Sequence, residues 1–228
     1  IAAALTGYDN FDVKACTRRG VWLSIVPDLL TGPTAALAMA LILGLTRNVA
    51  AGDQLVRSGK FRAWRPALYG AGMRSRVIGI VGMGKLGRAL AQLLTGFGTR
   101  TMYADPVALP DAEEERLGLT RVEFGELLAR SNVVVMMVPL AQSNIHLIGA
   151  TAIATMQRGA FLVNVGRGSV VDEKAVADAL DSGQLAGYAA DVFEMEDWAR
   201  PDRPRTIDPR LLRHVDRTLF TPHLGSAV

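Results

Sequence analysis

Three histidines occur in the chain, and one of them, His223, stands in "LFTPHLGS" between a strand-like run and a Gly-Ser turn. An imidazole with an unperturbed pKa of ~6.5 is the natural proton carrier near neutrality. Arg167, in "NVGRGSVVDE", leaves the apolar run "FLVNV" between two glycines. Its planar fork suits a carboxylate or a phosphorus oxyanion, gripped through two bonds. "AADVFEMEDW" gathers Asp191, Glu194, Glu196 and Asp197. One carboxylate of that group is placed to orient a histidine and stabilise its imidazolium form, while the rest reads as solvated loop. Each feature alone has a plainer reading: a structural histidine, a surface ion pair, a polar turn. His146 and His214 read as surface or packing residues.

A fourth signal changes the weight of the other three. "IVGMGKLGRAL" carries Gly82, Gly84 and Gly87 as G-x-G-x-x-G, after a strand pattern and before a helical one. Gly82 permits the tight turn, Gly84 lets a pyrophosphate approach the backbone, and Gly87 lets helix and strand pack closely. The amides around Lys85 and Leu86 face phosphates at the positive helix end. The next strand pattern ends in "MYADP", placing Asp105 about 20 residues on, where a carboxylate accepts from the ribose hydroxyls and repels a 2′-phosphate. NAD is therefore the expected cofactor. With a nicotinamide, an oxyanion grip and a carboxylate-oriented histidine, the expected chemistry is hydride transfer to or from a small anionic substrate.

These residues must be held by something rigid. Strand and helix patterns alternate from Val77 to the end, and the strands are nearly continuous apolar runs. That pattern predicts an α/β protein with a Rossmann-type doubly wound parallel sheet, covered on both faces. Before it, "IAAAL" and "VWLSIVP" read as two strands flanking a short helix, "FDVKACTRRG", in the manner of a partial flavodoxin-like domain. Residues Thr31–Gly59 read as one long helix, capped by Thr31 and stopped by Gly59, and apolar on all sides through Leu45. The predicted division is a partial substrate domain at 1–30, the NAD-binding domain at 31–222, and a return towards the substrate domain at 223–228.

Composition narrows the classes further. Half the residues are apolar, and 25 Lys and Arg stand against 22 Asp and Glu, spread along the chain. No basic patch points to nucleic acid. The run Ala35–Leu45 is shorter than the ~20 residues that span a bilayer. The lone Cys16, read as a buried structural thiol, excludes an intrachain disulfide and fits a reducing compartment. No signal-peptide pattern opens the sequence. A cytoplasmic protein without a bound metal is expected.

The motifs "GYDNFD", "GIVGMGKLG", "VPL", "NVGRGSVVDE", "AADVFEMED" and "TPHLGS" resemble the D-2-hydroxyacid dehydrogenase family along essentially the whole chain. Within it, "WRPALYG" and the long "MEDWARPDRPR" insert look most like the phosphite-oxidising branch, the phosphonate dehydrogenases. The resemblance implies that Arg167 binds the substrate oxyanion and that Glu196 pairs with a catalytic His223. It implies cofactor contacts at Pro139, Val165, Gly166, Asp191 (to the nicotinamide carboxamide) and Thr34, and substrate contacts at Thr6 and Gly7. It also implies a homodimer formed through the long apolar helix, and a chain that is an internal piece of a longer protein.

Two residues depart from the phosphite branch. Thr6 stands where a lysine is expected, which removes a charged contact worth about 1.5–3 kcal/mol from the grip on a dianion. Ala36 stands where an acidic residue is expected and reads as a packing change. Phosphite oxidation is the first expectation. Reduction of a 2-keto acid such as glyoxylate or hydroxypyruvate is the alternative, favoured by Thr6 and opposed by the insert. A corepressor-like NAD-binding scaffold is a third reading, opposed by the presence of Arg167, Glu196 and His223.

Overall fold

Seven apolar runs become strands: β1 (Val77–Val81), β2 (Arg100–Ala104), β3 (Leu119–Arg121), β4 (Val133–Met136), β5 (Ala160–Asn164), β6 (Leu185–Ala190) and β7 (Thr218–Phe220). The structure, a computed structural model, describes residues 1–4, 6–63 and 67–227. All strands run parallel, in the order β3-β2-β1-β4-β5-β6-β7. The order reverses between β1 and β4, which opens a crevice at their carboxyl ends where such sheets bind ligands. Strand interiors such as Ile78, Ile80, Val134 and Val135 are fully buried, as β-branched runs covered on both faces should be.

Nine helices are described: α1 (Val13–Arg18), α2 (Thr31–Thr46), α3 (Val49–Arg57), α4 (Lys85–Leu94), α5 (Asp111–Leu117), α6 (Phe124–Arg130), α7 (Ala150–Thr155), α8 (Glu173–Asp181) and α9 (Pro209–Arg213). On one face of the sheet, Ile42 of α2 and Leu90 and Leu94 of α4 pack over Ile78 and Val135. On the other, α6, α7 and α8 bring Leu127, Ile153, Val176 and Leu180 against Val134 and Leu162. The doubly wound architecture is as the alternating pattern predicts.

Several local expectations are corrected. Thr31–Gly59 is two helices, α2 and α3, bent by 63° at Arg47 and Asn48. Asn48 adopts the left-handed conformation (φ 54°), which Asn tolerates better than most residues, and its amide donates to the Leu68 and Tyr69 carbonyls. The α2 N-cap is Leu30 and not Thr31, which lies inside the helix, and no side chain caps this end. Ala36 and Ala40 stay exposed on the otherwise apolar α2.

The two strands expected before Thr31 reduce to one parallel bridge, Ala2 to Ser24, because a pair of short strands has little independent stability. Leu5 lies outside the described residues. Helix α1 contributes no buried residue, and Cys16 in it is half-buried, not buried. Helices α5 and α9 and the short β3 were not apparent in the residue pattern. In "WRPALYG" the first three residues lie outside the described ones. Among the described residues no single helix is long and apolar enough to cross a membrane.

Candidate active site

A cleft of about 720 Å³ opens at the carboxyl end of the sheet, between the 6–11 turn and the loops that follow β4, β5 and β6. Thr6, Gly7, Thr34, Leu86, Pro139, Val165, Gly166, Arg167, Asp191, Glu196 and His223 all line it. The glycines at 82, 84 and 87, around the β1–α4 turn, and Asp105, just after β2, lie beyond this lining.

Glu196 closes a one-turn helix, Glu194–Glu196, in the loop that follows β6. One of its carboxylate oxygens accepts from the Phe193 amide (2.8 Å), which fixes the rotamer. The other lies 2.7 Å from Nδ1 of His223. This hydrogen bond, and then the Glu196 and Asp191 charges, hold the His223 imidazole above its ordinary pKa, against burial and the nearby Arg167. His223 itself sits in the left-handed region (φ 57°), a costly conformation for a non-glycine residue.

Asp191 is what holds it there. The buried Asp191 carboxylate accepts from the Thr221 hydroxyl (2.6 Å) and from the Leu224 and Gly225 amides (2.7 and 2.9 Å). Its backbone carbonyl accepts from the His223 amide (2.8 Å). Both carboxylate oxygens therefore serve the turn that presents the imidazole. Thr34 adds a bond to the Gly225 carbonyl (2.9 Å), tying α2 to the same turn.

Arg167 leaves β5 and donates through Nε and Nη2 to Asp9 (3.0–3.2 Å), while Nη1 donates to the Gly166 carbonyl (2.9 Å). Asp9, in the "GYDN" turn, went unremarked in the sequence reading, as did Asn10, whose side chain accepts from the Ala199 amide (3.0 Å). Gly7 belongs where it is for a steric reason: a Cβ there would lie 1.6 Å from Nη2 of Arg167. The Thr6 hydroxyl donates to the Val26 carbonyl and brings no charge to the cleft.

The glycine loop fits a dinucleotide. Gly82 has φ 95°, and a Cβ there would press on the Met137 carbonyl at 2.8 Å. A Cβ at Gly87 would meet the Gly82 carbonyl at 2.4 Å, whereas one at Gly84 would meet nothing within 4 Å, so the approach to the backbone is open at that point. The first amides of α4, Lys85 and Leu86, have no intrahelical acceptor and face outward as donors. The Lys85 side chain pairs with Asp28. Asp105 accepts from the Met83 and Val107 amides (both 2.8 Å), one bond per oxygen, which orients it and leaves lone pairs for ribose hydroxyls.

Residues 39–225 match the family described as D-isomer specific 2-hydroxyacid dehydrogenase, NAD binding domain. The chain belongs to that family. A glyoxylate reductase from Korarchaeum cryptofilum is 41% identical over the whole chain, and the chain spans 66% of its length. One from Thermococcus litoralis is 37% identical, again over the whole chain and 67% of the relative. Among solved structures, a glyoxylate reductase from Paecilomyes thermophila superposes with a TM-score of 0.84 at 33% identity, covering 97% of this chain and 63% of that one. The D-mandelate dehydrogenase of Rhodotorula graminis gives 0.86 at 28% identity, covering 100% and 65%. The chain thus carries the NAD-binding domain of a D-2-hydroxyacid dehydrogenase. These relatives are named for 2-hydroxyacid chemistry, not for phosphite.

Proposed function

We propose that the protein is an NAD-dependent D-2-hydroxyacid dehydrogenase that reduces a small 2-keto acid, glyoxylate being the first candidate. The observation that carries the reading is the Glu196–His223 hydrogen bond in the same cleft as Arg167. With Nδ1 committed to Glu196, the imidazolium presents its Nε2 proton to the substrate carbonyl oxygen. Asp9 takes Nε and one N–H of Nη2, and the Gly166 carbonyl takes one of Nη1, which leaves Arg167 one further N–H on each of Nη1 and Nη2 for the substrate carboxylate. Bound NADH supplies the hydride that the carbonyl carbon accepts. In the oxidative direction neutral His223 takes the hydroxyl proton.

Phosphite oxidation, suggested by the "MEDWARPDRPR" insert, is the second reading. Thr6 weighs against it, because with its hydroxyl on Val26 the cleft meets a dianion without the extra cation. The organisation as a homodimer through α2 belongs to the same proposal, supported by exposed Ala36 and Ala40 on an apolar helix.

The deciding experiment follows NADH absorbance in the full-length protein, with glyoxylate and hydroxypyruvate in one direction and phosphite and D-2-hydroxy acids in the other. Thr6→Lys is run in parallel. Turnover of 2-keto acids without phosphite oxidation supports the proposal. Phosphite turnover that rises in Thr6→Lys overturns it in favour of the second reading.

A further inference from the structure

We infer that His146, acting through Glu194 and Glu173, is a positioning residue that locks the one-turn helix carrying Glu196 and so aligns the Glu196–His223 pair. The inference rests on the proposed function for its kinetic consequence, though not for its structural one. Glu194 and Glu196 are the two ends of the same helical turn, and each meets a histidine. Glu196 meets His223 on the cleft side. Glu194, buried, places Oε2 2.8 Å from Nε2 of His146 and accepts from Arg200 (3.2 Å) at the same oxygen.

The other Glu194 oxygen reaches the start of α8. It accepts from the Glu173 amide (3.1 Å), and Glu173 Oε1 accepts in return from the Glu194 amide (2.8 Å). The exchange ties the turn reciprocally to a rigid helix. Both side chains are nearly inaccessible, so an unpaired oxygen there would be costly.

The backbone of His146 is part of the same fastening. Its amide donates to the Ser169 carbonyl (2.8 Å), and Ile148 bridges Val171 in parallel. The 168–171 segment, which follows Arg167, is pressed in turn on the Glu194 turn. A Cβ on Gly168 would lie 1.9 Å from the Phe193 carbonyl carbon and 2.3 Å from the Glu194 amide. His146 thus holds the Arg167 loop with its backbone and the Glu196 turn with its ring.

Arg200 also binds Asp202, Asp208 faces Glu173 from the loop before α9, and the buried Tyr188 lies beneath. Burial pushes the Glu173 carboxyl up to about 7, so below neutrality it adds little negative charge against Glu194. Among the described residues no group of three or more His, Cys, Asp or Glu is arranged to hold a metal ion. The cluster's work is mechanical.

The test compares His146→Asn with His146→Gln in the full-length protein. His146 has φ 51°, a backbone that Asn accepts, but the Asn amide stops short of where Nε2 sits, whereas the Gln amide reaches it. The readouts are the NMR titration of the His223 ring, kcat on glyoxylate, and KM for NADH. For Asn we expect the His223 titration to move down towards its ordinary value and kcat to fall about ten- to a hundredfold. KM for NADH should hold within about twofold, since the glycine loop is remote, and Gln should restore both other readings. If Asn does not fold, Glu194→Asp, which keeps the charge and shortens the reach, carries the same expectation. An unmoved His223 titration with native kcat overturns the inference, as does a Gln variant as impaired as Asn. A wild-type protein that reduces no 2-keto acid, yet shows the His223 shift in Asn, retains the positioning role and loses the proposed function.

Discussion

Asp9 and Arg167 form a two-pronged ion pair across the cleft, with Asp9 Oδ1 and Oδ2 on the Nε and Nη2 edge of the guanidinium. The carboxylate sits on the side of the fork, not on its end. It therefore aims the arginine from the side and leaves one N–H on each of Nη1 and Nη2 for the proposed substrate carboxylate.

Removing that aim should cost substrate binding more than turnover. Asp9→Ala is expected to raise KM for the 2-keto acid about tenfold while KM for NADH stays near the native value. Gly7→Ala should do at least as much, because its Cβ would land on Nη2 of Arg167. Steady-state kinetics with each substrate varied in turn checks both.

The pH dependence follows from His223. Its pKa is raised, mainly by the hydrogen bond to Glu196, so the protonated form that the proposed reduction uses persists to higher pH. Reduction should therefore decline as pH rises through that raised value, and oxidation should gain over the same range. Glu196→Gln removes the charge that stabilises the imidazolium. The limb of the reductive profile should move to lower pH, with a loss in kcat on the order of a hundredfold.

Stability should carry a separate signature from Glu173. Burial raises its pKa from 4.5 unfolded to about 7 folded, so the folded state binds the proton more tightly. That contribution is fully present below pH 4.5 and is lost as pH rises through about 7. Glu173→Gln, a neutral isostere, should flatten the corresponding fall in melting temperature between those two limits. Calorimetry across that range, with wild type alongside, measures the difference.

Asp105 is expected to set the nucleotide preference. Its two oxygens are oriented by the Met83 and Val107 amides at the mouth of the glycine loop. Asp105→Ser should weaken NAD binding about tenfold and narrow the gap to NADP, because the repulsion of a 2′-phosphate is gone. Fluorescence titration of the free protein with each nucleotide reads this without turnover.

Much of this was legible from residues alone. The alternation of apolar runs with amphipathic stretches determines a parallel doubly wound sheet, because a strand buried on both faces has no other composition available. Gly82 marks its loop because its backbone angle favours glycine, Gly87 because a side chain there would strike the Gly82 carbonyl, and Gly84 because it leaves the backbone open. The helix break at Asn48 was visible only as a single residue type, and the apolar content of Thr31–Leu45 concealed it.

The partnerships were the work of tertiary structure. Asp9 lies 158 residues from Arg167, and His146 lies 48 from Glu194. "FEMED" offers several carboxylates at similar spacing, and nothing local says which meets which histidine. Folding the chain back over the ends of β4, β5 and β6 decides it, turning Glu196 to His223 and Glu194 to His146. Composition and periodicity act over a few residues and determine elements. The pairing of charges depends on distances that exist only once those elements are packed.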